Sequence, residues 1–208
     1  MNFLAHIFLS GENDEILFGN FIGDAVKGRD FSRFPDLVRK GLHLHRFIDS
    51  FTDTHPVVRK SKKLLNSHYH KYSGVVVDIF YDYFLTLFWD LFSEEPRREF
   101  IYRKNDVLFL QSPRFPMEVK RLFPCFILNN WLETYATVSG IEEVLRGMSK
   151  KTSLPDETDF AIHILDDCFD DFRDHFLEFF PQIMEAVHER FNLRLPMNSS
   201  PKEFQPRA

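Results

Sequence analysis

Four pairs of polar residues lie four positions apart within apolar stretches: Asn2/His6, Asn20/Asp24, His45/Asp49 and Asp78/Asp82. Positions i and i+4 share one face of a helix. Three of the surroundings, FLAHIFL, FGNFIGDAV and VVVDIFYDYFL, are too apolar for a solitary carboxylate. A carboxylate buried there must be paired, hydrogen-bonded or bound to a cation, because losing water alone is costly. Helical bundles build metal sites in this way, each helix giving one or two inward His or Asp side chains. Histidine nitrogen with carboxylate oxygen, and no cysteine, suits Mn, Fe, Zn or Mg. Any one of these residues could instead be a satisfied core histidine or half of a salt bridge. Four such pairs together favour a cation.

The densest stretch is GLHLHRFIDSFTDT, residues 41–54. On a helix His45, Asp49 and Thr52 share a face, and Arg46, Asp49 and Asp53 make a neighbouring stripe that could equally be a salt-bridge ladder. Asp78 is the hardest to explain without a partner, since Val75, Val76, Val77, Ile79 and Phe80 surround it. Other signals are weaker. His68 and His70, two apart, fall on different helix faces. His163/Asp167 repeats the four-residue spacing, but Asp159, His163, Asp166, Asp170, Asp171 and Asp174 trace the wet side of an amphipathic helix. The chain has no glycine-rich phosphate loop, no GxSxG and no HExxH.

The elements that must position these groups are helices. The 208 residues hold 25 Phe and only 8 Gly, and no stretch has the alternation of a strand. Residues 2–9 are expected to form a short apolar helix or an extended entry, and helices are expected at 14–27, 34–53, 56–68, 73–92, 94–110, 117–123, 126–138 and 140–149. A last long one is expected at 157–191, kinked near Pro181. The reading is a single compact all-α domain over 1–194, with an extended or disordered tail at 195–208. No run of about 18 uncharged apolar residues exists, so no transmembrane span is expected. The N-terminal MNFLAHIFLSGENDE reads as part of the fold, not as a signal peptide. Two distant cysteines, Cys125 and Cys168, fit a reducing cytoplasm.

The net charge of -5 does not favour nucleic acid as a partner. It averages two unlike parts. Residues 27–72 carry eleven Lys/Arg against four acids, a net of +7, and the remainder is -12. A basic segment on an acidic protein points to an anionic partner. A membrane surface is a poor one, because the segment lacks a large apolar face. The sequence leaves monomer or homodimer open.

The motifs MNFLAH, GNFIGDAVKG, GLHLHRFIDSFTDTHP and DIFYDYFL, in this order over residues 1–90, resemble the acyl carrier protein phosphodiesterase family. A weaker likeness continues through NNWLETYATVSGIEEVLRGMSKK and Phe179-Phe180-Pro181. The resemblance implies an HD-domain-like helical bundle and a divalent cation, chiefly manganese. It also implies removal of 4′-phosphopantetheine from holo-acyl carrier protein. Relatives are expected to carry a His where this chain has Tyr83. On this reading His6, Asp24, His45, Asp78 and Asp82 are the expected metal ligands, with Asp49 and Asp82 as ligands or orienting groups. Asp49 also joins the expected catalytic residues with His43, an acid for the leaving serine oxygen, and Arg46, a phosphate holder. Lys27, Arg59, Lys60, Lys62, Lys63 and Lys71 are expected to face the phosphate or steer the acidic carrier protein. A nucleotide phosphohydrolase of the same chemical class is the alternative. An all-α adaptor without metal is a further one.

Overall fold

A computed structural model of the chain describes residues 1–28, 30–128 and 131–195. The helices are α1 (Phe3–Leu9), α2 (Asp14–Phe21), α3 (Asp36–Thr54), α4 (Pro56–Tyr69), α5 (Ser73–Leu87), α6 (Trp89–Phe92), α7 (Arg97–Gln111), α8 (Met117–Leu128), α9 (Trp131–Thr134), α10 (Val138–Lys151), α11 (Thr158–Asp167) and α12 (Phe169–Phe191). Three 3-10 turns join them and no strand occurs among the described residues, so the chain is a single all-α domain. All but the first residue of the expected tail lies outside the described residues.

Several boundaries differ from those expected. The second helix stops at Phe21 and gives way to a 3-10 turn, Gly23–Ala25, instead of running to Lys27. Glycine is required there because a Cβ on Gly23 would lie 2.2 Å from the His45 ring. The long apolar segment breaks at Phe88, and the last at Cys168, both near φ -110° with no proline or glycine to announce it. Conversely α12 runs through Pro181, and α8 through Pro124, as continuous helices. A proline removes only one helical hydrogen bond, and tertiary packing of Phe172, Phe176, Phe179, Phe180, Ile183 and Val187 outweighs that loss in α12. Pro56 opens α4, with the His55 ring accepting from the Val57 amide.

Two glycines set the closest packing. A Cβ on Gly19 of α2 would lie 2.2 Å from the Val38 carbonyl, and one on Gly41 of α3 would lie 2.3 Å from the Ile16 carbonyl. Backbone therefore touches backbone where α2 crosses α3. α1 rests against α2 and α5, while α12 packs across α3, α4 and α5. Phe8 of α1 sits at the centre, against Trp89, Phe100 and Phe180. The rings of Phe80, Phe84, Phe92 and Phe176 continue this core towards α12. The aromatic core thus fixes α1, α2, α3 and α5 as rigid walls around one polar cleft.

Candidate metal centre

α1 and α3 bring His6 and His45 face to face, ring centroids 4.5 Å apart. Asp49, one turn after His45, stands before both rings. Its Oδ1 is 3.2 Å from His6 Nε2, and its Oδ2 is 3.2 Å from His45 Nε2. His6, His45 and Asp49 offer three ligand atoms that all lie within 4.8 Å of one another. Asp24, on the 3-10 turn after α2, places Oδ1 3.2 Å from the same His45 nitrogen.

The hydrogen bonds around His6 decide what its outer nitrogen presents. Asn20 Nδ2 gives its two hydrogens to the His6 carbonyl (2.8 Å) and the Ser10 hydroxyl (2.9 Å). Asn20 Oδ1 therefore faces His6 Nδ1 at 2.9 Å, and that nitrogen must donate. Burial pushes the His6 pKa down, against the hydrogen bond and charge of Asp49. A neutral ring with its proton on Nδ1 turns the Nε2 lone pair towards the Asp49 carboxylate. Lone pair against lone pair is repulsive unless a cation stands between them. Asp49 is held at about 2, against its own burial, when the rings before it are charged, His6 through a hydrogen bond and charge and His45 through charge; with the rings neutral, a cation between them would supply that positive charge. The His45 hydrogen bond holds Asp24 below the usual range, outweighing the water its neighbours displace. Both carboxylates are thus ionised at neutral pH. Buried His45 Nδ1 has no hydrogen-bond partner. This donor set, two imidazoles and two carboxylates on rigid helices, fits a divalent cation.

A cavity of about 320 Å³ opens over the cluster. Asn2, His6, Asp24, Asp49, Asp53 and Asp78 supply its polar walls, with Met1, Val75 and Met148 between them.

The chain matches the acyl carrier protein phosphodiesterase family over residues 1–183. It belongs to that family. Among relatives that carry the name acyl carrier protein phosphodiesterase, one from Yersinia pestis is 29% identical over 192 residues, 91% of this chain and 100% of the relative. One from Photorhabdus laumondii is 30% identical over 197 residues, 94% and 100% of the two chains. One from Escherichia coli is 30% identical over 191 residues, 91% and 99%. No solved structure matches the chain.

Within this family member the other expected residues fall in different places. Asp82 is not at the cluster. Its oxygens accept from the Leu4 and Ala5 amides at 2.7 and 3.1 Å, capping α1 from 78 and 77 residues away. Fully buried, it is raised to about 7 by desolvation despite those two bonds. It holds the start of the helix that carries His6 and lines neither the cluster nor the cavity. Asp78 lines the cavity and pairs with the Met1 ammonium at 3.1 Å. Burial raises it against that charge. His43 is exposed, with its ring edge-on to Phe31 at 5.1 Å, and lies outside the cavity wall. Arg46 donates to the Val26 carbonyl (2.8 Å) and reaches the Gly23 carbonyl (3.5 Å). It braces the turn that carries Asp24, and neither His43 nor Arg46 lines the cavity over the cluster. Tyr83 is buried beside Phe84, away from the cavity.

Lys27 donates to the Asp24 carbonyl at 2.7 Å and keeps its ammonium at the rim. Arg59, Lys62, Lys63 and Lys71 line a second cavity of about 640 Å³, which meets the first at Asp53, Val75 and Asp78. Lys60 is not on that wall and faces the neighbourhood of His175. Asn20 was visible in the sequence only as a polar member of a pair. Gly23 and Met148 gave no signal at all.

Proposed function

We propose that this protein hydrolyses the phosphodiester joining 4′-phosphopantetheine to a serine of an acyl carrier protein, in the cytoplasm, with a divalent cation, chiefly manganese. Family membership supports the substrate class. The observation that carries the metal is the His6 lone pair aimed at an ionised Asp49.

His6, His45, Asp49 and Asp24 hold the cation. Such an ion polarises a phosphoryl oxygen and makes water a nucleophile at neutral pH, the two needs of a phosphodiester with a poor leaving group. Asn20 fixes the His6 tautomer, and Arg46 holds the turn that presents Asp24. Lys27 is a point charge for the phosphate at the rim. Asp78 completes the polar wall on the side of the basic cavity. Acyl carrier proteins are small and acidic, and Arg59, Lys62, Lys63 and Lys71 draw one onto that side.

The test is the mass of holo-carrier protein after incubation with the protein and manganese. Loss of the phosphopantetheine mass is expected, and its abolition by a chelator. Turnover of a nucleotide panel with no action on holo-carrier protein would replace this reading.

A further inference from the structure

A third cavity, about 310 Å³, opens beside the metal centre and differs from it in chemistry. Its walls are Phe3, Phe21, Val119, Phe123 and Phe126. Their rings form a continuous surface: Phe3 to Phe21 5.9 Å, Phe3 to Phe126 5.2 Å, Phe21 to Phe126 5.5 Å and Phe21 to Phe123 6.1 Å. The charged residues of the cavity, Asp24, Lys27 and Glu118, are all exposed. Asp24 lines both this cavity and the one over the histidines, so the two adjoin across a single carboxylate.

Two chemically distinct cavities adjoin the one in which an anion would sit at the cluster. Across Asp53, Val75 and Asp78 it meets the basic cavity. Across Asp24 and past Lys27 it meets the aromatic one. A substrate that spans the centre and uses both is acidic on one side of its phosphorus and, on the other, slim with apolar groups for the rings and polar groups for the exposed rim of Asp24, Lys27 and Glu118. The volume is at the small end for a ligand site and excludes a protein helix.

We propose that the aromatic cavity seats the pantetheine arm, with the carrier protein on the basic side. The arm's phosphate lies at the Lys27 rim, and its gem-dimethyl, methylene and thiol groups lie against the phenylalanines. This rests on the proposed function for the identity of the arm, but the cavity can be tested by binding alone. The phenylalanines exclude water from the arm and set its direction, so they act on affinity and leave the chemistry at phosphorus to the cluster.

Val119 is half-buried on α8 and faces the cavity, so a larger side chain there fills it without disturbing the core. Calorimetry with the manganese-loaded protein would compare 4′-phosphopantetheine with inorganic phosphate, which reads the metal end only. Val119→Trp is expected to weaken 4′-phosphopantetheine about tenfold or more. Phosphate and manganese affinity should not change. Val119→Phe should fall between wild type and Val119→Trp, and the unchanged phosphate and manganese affinities of Val119→Trp, with its thermal melt, guard against a folding defect. Pantetheine without its phosphate should bind wild type weakly and Val119→Trp not at all. Equal 4′-phosphopantetheine affinity in wild type and Val119→Trp would overturn the proposal, as would a parallel loss of phosphate binding. A wild type that binds 4′-phosphopantetheine in this way yet leaves holo-carrier protein intact would uphold the cavity and overturn the proposed function. Tighter binding of a nucleoside monophosphate than of 4′-phosphopantetheine, also lost in Val119→Trp, would give the cavity to a base and overturn both.

Discussion

Two His/Asp pairs in this molecule share the same local geometry and differ in everything else. His45/Asp49 on α3 and His163/Asp167 on α11 are both i, i+4 pairs, and in both the Nε2–Oδ2 distance is 3.2 Å. The first pair is 5% and 37% exposed, and the second is 68% and 54%. The first meets His6 from another helix, Asp24 from a turn and Asn20 behind. The second lies on the wet face. A spacing motif therefore supplies only a pair of groups. Convergence of three further elements and loss of water turn one copy into a group that could hold a cation.

The comparison is broken most completely by removing the α3 histidine. His45→Ala should abolish tight manganese binding and lower turnover of holo-carrier protein by more than ~100-fold, while His163→Ala changes neither; calorimetry and product mass would show it. The next largest effect tests convergence without touching a ligand. Asn20→Leu frees the His6 tautomer and should cost roughly 10- to 100-fold in metal affinity, with thermal melts checking that the fold persists.

Much of the first pair's setting was legible. The i, i+4 pattern and apolar flanks singled out His6, Asp24, His45 and Asp49, and the fold brings these four together. The same logic misplaced Asp82, because burial dictates that a carboxylate must be satisfied but not by what. Its partners, two amides at the start of α1, lie 78 and 77 residues away and follow only from packing. His43 and Arg46 stand two residues before and one after His45, and on a helix those steps are turns of about 200° and 100° onto different faces. The all-helical class followed from periodicity and scarce glycine, but the joints at Phe88 and Cys168 have no breaking residue. The aromatic cavity was invisible for a simpler reason: among 25 phenylalanines, lining a cavity and filling a core look alike.

Asp78/Asp82 is a third pair of this spacing, and it sharpens the contrast through pH. The folded-state pKa of Asp82, about 7, lies above its ordinary 3.8. The stability linked to its protonated form is full below pH 3.8 and is lost as pH rises through about 7. Wild-type melting temperature should carry this fall between pH 4 and 7, and Asp82→Asn should flatten that slope whatever its absolute value. On the basic side, Lys63→Glu should raise KM for carrier protein several-fold at low salt with kcat unchanged, an effect that fades towards ~1 M salt. Lys60→Glu should do less, since it lies off the cavity wall. The smallest expected effect is that of Asp167→Ala, within about 0.5 kcal/mol of wild-type stability by denaturant titration.

The crossing of α2 and α3 has a mechanical meaning. At Gly19 and Gly41 no side chain stands between the helices, so no rotamer can hop there and no methyl group can act as a spring. The separation between the Asn20–Asp24 stretch and the His45–Asp49 turn is gauged by main-chain atoms, which hardly compress. Such a joint is a ruler and not a hinge: the two walls keep their spacing for as long as they remain docked, and can lose it only by coming apart.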